Sequence, residues 1–201
     1  MAIIYIETNF LMSIATGREA EAIMLLRDLS SSVQLVIPSV CYRSAWSAFE
    51  DELKRHNSFK EQLSRQISET KRDVTSQKVA SLSFYLEESL LYYLERIDEL
   101  ELRLREAISM MSENAEMIVL NLEIIQSSLN TAIIKKDPTD NLILHCILSH
   151  ARSHSTESKV FLSGNVKEFG LSKVRDALQE VGITKYFSRT EDFLGWLQSQ
   201  S

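Results

Sequence analysis

Apolar and polar positions change their spacing several times along this chain, and each change marks an element. "AIIYI" (2–6) is a short, β-branched apolar run that reads as a buried strand. Residues 18–31 follow a helical pattern, with Ala20, Ile23, Met24 and Leu26 to Leu29 on the apolar face. "SVQLVIP" (32–38) is a second strand, stopped by Pro38, and a helix starts near Ser39. Strand, helix, strand, helix in that order predicts a parallel sheet with right-handed crossovers.

The spacing then becomes purely helical. From about Glu50 to Lys135 the sequence shows no strand pattern, no proline and no glycine. Within it, Leu86, Leu90, Tyr93, Ile97, Leu100, Leu104, Ala107 and Met111 alternate steps of four and three, a narrow heptad seam. A broader apolar face over 117–134 predicts a core helix. Strand and helix alternate again afterwards: helix 137–151 with Pro138 in its first turn, strand 159–163, helix 172–182 ended by Gly182, edge strand 183–188, and helix 190–198 with Thr190 as N-cap. The expectation is a three-layer α/β/α domain from 1–50 and 130–201, with a parallel sheet of four or five strands. A helical, coiled-coil-like hairpin over 51–129 is inserted into it.

Composition narrows the function classes. With 201 residues, two prolines and five glycines, the chain has material for one helix-rich core. No apolar run approaches the roughly 20 residues of a membrane span, and "MAIIYIE" lacks a basic leader, so a cytoplasmic protein with no membrane contact is expected. Cys41 and Cys146 lack metal-ligand spacing and read as reduced core thiols. The four histidines form no zinc signature. The net charge of −6 does not favour nonspecific nucleic-acid binding, yet charge is segregated. Lys54 to Lys78 holds seven Lys/Arg against three acids, while Leu86 to Glu116 holds nine acids against three Arg. Folded antiparallel, the two stretches would complement each other. The heptad seam either closes this hairpin on itself or offers a surface for a homodimer or partner protein.

Three polar segments follow or precede the predicted strands: "ETN" at 7–9, "DPTD" at 137–140 and "SGNVKE" at 163–168. Sites in such sheets form beyond the carboxyl ends of the strands, where strand order switches. Glu7, Asp140 and Glu168 are therefore candidates for one catalytic and metal-holding pocket, while Asp137 suits the helix N-cap. Clustered carboxylates repel, and a hard cation, Mg²⁺ or Mn²⁺, relieves that repulsion. Asn9 and Asn165 suit orientation of carboxylates or water, and Ser163 supplies a hydroxyl.

These motifs, in this order, resemble the PIN-domain ribonucleases. "IYIETNF" is similar to the opening strand with its acid, Thr or Ser, and Asn. "DPTDNLILHCIL" resembles the helix with an acid in its first turn, and "VFLSGNVKEF" the late strand with its acidic loop. Glu7 stands where Asp is usual, Ser44 where a second acid is usual, and Asn165 where many members have Asp. The resemblance implies a metal-dependent endoribonuclease acting on RNA. The alternative it leaves is a catalytically degenerate PIN-like scaffold or regulatory protein working through its helical insertion.

Overall fold

One parallel sheet of five strands organises the computed structural model, which describes residues 2–27 and 33–199. The strands are β1 (Ala2–Ile6), β2 (Val33–Pro38), β3 (Ala115–Ile118), β4 (Ser158–Leu162) and β5 (Ile183–Phe187), in the order β3-β2-β1-β4-β5. Ile3, Ile4, Tyr5 and Ile6 of central β1 are fully buried, so both faces of the sheet must be covered. The helices that cover it are α1 (Thr8–Thr16), α2 (Ala20–Arg27), α3 (Val40–Thr70), α4 (Val79–Asn114), α5 (Leu122–Asn130), α6 (Pro138–Ser153), α7 (Val166–Phe169), α8 (Ser172–Glu180) and α9 (Thr190–Gln198). The path from β1 through β2 to β3 steps one way, and from β3 to β4 and β5 it steps the other way. Right-handed crossovers then place α1 to α4 on one face and α5 to α8 on the other. In agreement, α1 packs on α3 and α4, and α5 packs on α6.

The α/β reading holds, with local corrections. The 50–135 stretch is not wholly helical: β3 pairs in parallel with β2, Leu35 opposite Ala115 through Pro38 opposite Ile118. This edge strand is short, and Glu116 and Met117 are exposed, so it carries no buried β-branched run to announce it. The core helix expected over 117–134 is the nine-residue α5, capped by Asn121, whose side chain accepts the Ile124 N–H at 2.9 Å. The helix expected over 18–31 is preceded by a separate α1, and Gly17 with φ +67° parts the two. Residues 28–31 of that expected helix, Leu29 included, and Ser32 of the expected second strand lie outside the described residues. Thr190 is not an N-cap but the first residue of α9, and its hydroxyl donates to Glu19 Oε2 at 2.5 Å.

The long helices form an antiparallel pair. At 31 and 36 residues, α3 and α4 run about 46 and 54 Å, well over twice the length of a strand. The heptad seam divides accordingly. Leu100, Leu104, Ala107 and Met111 are buried in the main core, whereas Leu86, Leu90, Tyr93 and Ile97 are half-buried on the overhanging part. Lys71 pairs with Glu87 across the hairpin; Lys54, Arg55, Arg96, Arg103 and Arg105 instead pair with acids of their own helix. Charge complementarity between the two helices is thus a minor contribution. No helix among the described residues is long and apolar enough to cross a membrane.

Candidate active site

Strand order switches direction between β1 and β4, the central pair, where Ile6 lies opposite Leu162. The next residue on each strand is Glu7 and Ser163, so the sheet itself brings "ETN" against "SGN". Ser163 Oγ donates to Glu7 Oε1 at 2.8 Å, and the Asn9 backbone N–H donates to Glu7 Oε2 at 2.8 Å. Glu7 is thereby both the N-cap of α1 and a carboxylate beyond the strand ends, only 1% exposed. Burial pushes its carboxyl up to about 7, opposed by the two hydrogen bonds and assisted by the charge of Asp140.

Asp140 arrives from the other face of the sheet. Pro138 begins α6, and the Asp137 side chain caps it by accepting the N–H groups of Thr139 at 2.8 Å and Asp140 at 3.1 Å. Asp137 therefore caps, as its position before proline leads one to expect, and the Asp140 carboxylate remains for other work. Partial burial raises Asp140 to about 6, with the charges of Asp137 and Glu168 adding to the effect and the Asn165 hydrogen bond opposing it.

Asn165 joins the two halves. Its backbone N–H donates to Ser163 Oγ at 3.1 Å, its Nδ2 donates to Asp140 Oδ2 at 2.8 Å, and its Oδ1 accepts the Glu168 N–H at 3.3 Å. Glu7, Ser163, Asn165 and Asp140 are consequently one hydrogen-bonded chain, with Glu168 tied to it through its backbone. A carboxylate at position 165 would face Asp140 with a second negative oxygen; the amide donates instead, which suits a pocket without a cation as well as one with it. Asn9 contributes its backbone, and its side chain is exposed at the rim of a cavity of about 210 Å³ also lined by Phe10, Arg18, Gly164 and Thr190.

The donor set consists of oxygens, which matches a hard divalent cation. Among the described residues no three His, Cys, Asp or Glu side chains come close enough together to form a cage. Glu7 and Asp140 do fit an ion that keeps most of its waters, since each ligating carboxylate oxygen retains a second lone pair beyond its present hydrogen bond. The raised carboxyls of both residues express the repulsion and burial that a cation would offset. Glu168 is 9% exposed and lines an outer depression, a position suited to contact through water.

Sequence reasoning missed four neighbours. The buried Thr8 hydroxyl sits beside the Cys41 thiol, which burial and the nearby Glu7 charge push up, an effect that Thr8 partly offsets. Tyr186 donates its hydroxyl to Ser163 O at 2.9 Å, fixing the exit of β4. Asn141 is buried, holds Ser128 O and Thr131 O, and accepts the Ile134 N–H, so it anchors the loop before α6. Of these only Thr8 carried a sequence signal, its place inside "ETN". His145 bonds Ser127 Oγ and Thr131 O, a structural role in the same anchor.

A PIN-domain family model matches residues 4–169, most of the chain. The protein belongs to the PIN-domain family, and its fold is of the nuclease type. No curated protein and no solved structure matches the chain.

Proposed function

We propose that this protein is a metal-dependent endoribonuclease that hydrolyses RNA phosphodiesters at the pocket between β1, β4 and α6. The observation that carries the reading is the hydrogen-bonded chain from Glu7 through Ser163 and Asn165 to Asp140, at the switch point of a PIN-family sheet. Glu7 and Asp140 would hold Mg²⁺ or Mn²⁺, with Glu168 acting through water. Bound there, such an ion supplies Lewis acidity toward water and toward a phosphodiester oxygen. Ser163 and the Asn9 N–H keep the Glu7 carboxylate in one orientation, and Asn165 does the same for Asp140. Burial and the charge of neighbouring acids raise the two carboxyls to about 7 and about 6, and both would favour the ionised form with a cation bound there.

Asp140→Asn tests this reading. The amide removes the charge while leaving an oxygen for Asn165, so the fold is expected to survive. Calorimetric titration with Mn²⁺ should show binding to the wild type and at least a tenfold loss in the variant, and RNA cleavage should disappear. Undiminished cleavage by Asp140→Asn would remove the proposed mechanism.

A further inference from the structure

Beyond the acid chain, Glu168 also lines a second depression of about 240 Å³, and the rest of its lining is Leu171 and four lysines: Lys135, Lys136, Lys167 and Lys173. These lysines come from three separate segments, the loop before α6, α7 and the first turn of α8. All four are exposed, and none makes an ion pair with another described residue. On the basic stretch of the hairpin, Lys54, Arg55 and Lys71 are paired with acids, whereas Lys60, Arg65, Arg72 and Lys78 make no ion pair with another described residue. Gathering four ammonium groups around one depression costs self-repulsion, which the single carboxylate of Glu168 offsets only in part and a polyanion would relieve further.

The rim is also set in place before any ligand arrives. Asn141 and His145 pin residues 128–134, immediately before Lys135 and Lys136, through Ser128 O, Thr131 O and the Ile134 N–H. Lys167 directly precedes Glu168, whose backbone N–H is held by Asn165. The backbone that carries Lys135, Lys136 and Lys167 is therefore tied into the same hydrogen-bonded frame as the carboxylates, with Glu168 on the boundary between them.

We propose that Lys135, Lys136, Lys167 and Lys173 form a phosphate-binding rim that seats the backbone of single-stranded RNA beside the Glu7–Asp140 pocket. The proposal rests on the ribonuclease reading for its substrate. Glu7 is buried, and a single strand, more flexible than a duplex, can present one phosphate to a cation held at the pocket while its neighbouring phosphates remain on the lysines. Lysine heads acting as point charges give register without base readout, so binding should be tolerant of sequence.

The test measures affinity for a fluorescent single-stranded RNA against salt concentration, using the full chain without divalent metal. Each phosphate neutralised on a single strand contributes a slope of about −0.7 in log affinity against log salt. Replacing all four lysines by Ala should flatten the wild-type slope by up to about 3 and weaken binding at least about tenfold near 50 mM salt. Replacing all four by Arg should keep slope and affinity near the wild type. An unchanged thermal midpoint shows that each variant is folded. Wild-type slope in the Ala variant, or no RNA binding by the wild type at low salt, overturns the rim. Asp140→Asn separates the two readings: it should bind RNA as the wild type does without cleaving it. Cleavage persisting in that variant would defeat the mechanism while leaving the rim to stand or fall on its salt slope.

Discussion

The carboxyl edge of the sheet and the overhanging end of the α3–α4 hairpin are built on opposite terms. At the sheet edge, polar groups are buried and nearly all are satisfied by one another: Glu7 accepts two hydrogen bonds, Asn165 makes three, and Asn141 makes three. On the hairpin end, apolar groups are left in solvent, with Phe84, Tyr85, Leu91 and Tyr92 each about half exposed or more. One region holds charge where the dielectric is low, which is how a carboxyl is moved toward neutrality and a cation made welcome. The other is a long lever whose stability comes from its root on α1. There Arg96 Nη2 donates to Thr16 O at 3.0 Å, at the C-terminus of α1. The proposed chemistry therefore falls to the first region, and the second must be rooted before it can project at all.

The largest effect that would test this contrast is expected at the root of the hairpin. Leu104 is fully buried, and Leu104→Ala should cost about 2–5 kcal/mol in denaturant unfolding through lost burial and a cavity. A cost no larger than that of an exposed leucine would mean that α4 is not part of the main core.

A slightly smaller effect is expected from pH at the sheet edge. Because the folded Glu7 carboxyl lies near 7, above its ordinary value of 4.5, the native state holds a proton there that the unfolded chain gives up. Without metal, stability should therefore be greatest at or below about pH 4.5 as far as Glu7 is concerned. It should fall by about 3 kcal/mol as pH rises to 7, then level off. Asp140, raised to about 6 from 3.8 but only partly buried, should add a smaller fall in the same direction below that pH. Glu7→Gln should remove most of the slope and leave the metal-free protein at least as stable as the wild type at pH 8. Metal affinity should run the other way, rising as both carboxyls ionise. A stability profile that is the same in the wild type and in Glu7→Gln would show that the buried acid is not the strained group described here.

The smallest effect belongs to the overhang. Leu91 is 49% exposed, and Leu91→Ala should change unfolding free energy by no more than about 0.5 kcal/mol. A larger loss would mean that this face is covered in solution, and the contrast between the two regions would have to be redrawn.

Several elements were legible in the chain because their signals are local. β1 is an unbroken apolar run, β2 and β4 carry the short apolar stretches Leu35 to Ile37 and Val160 to Leu162, Pro138 and Gly182 punctuate helices, and the four-three spacing of α4 is an arithmetic pattern. β3 was not legible, since an edge strand of four residues with two exposed side chains obeys no burial rule. The site was legible as three motifs beyond strand ends, but Asp137 and Asp140, three residues apart, take different tasks only because α6 begins at Pro138.

By itself, then, the sequence determined the class of fold, the long helical pair and the short polar segments where the chemistry would gather, since periodicity, proline and glycine act over a few residues. Tertiary structure decided which segments meet. Strand order placed Glu7 beside Ser163; Asn165 bridged to Asp140 from the far side of the sheet; and four lysines from three segments closed on one depression. Such contacts span up to 156 residues of chain, a distance over which no local pattern reaches but a packed core does.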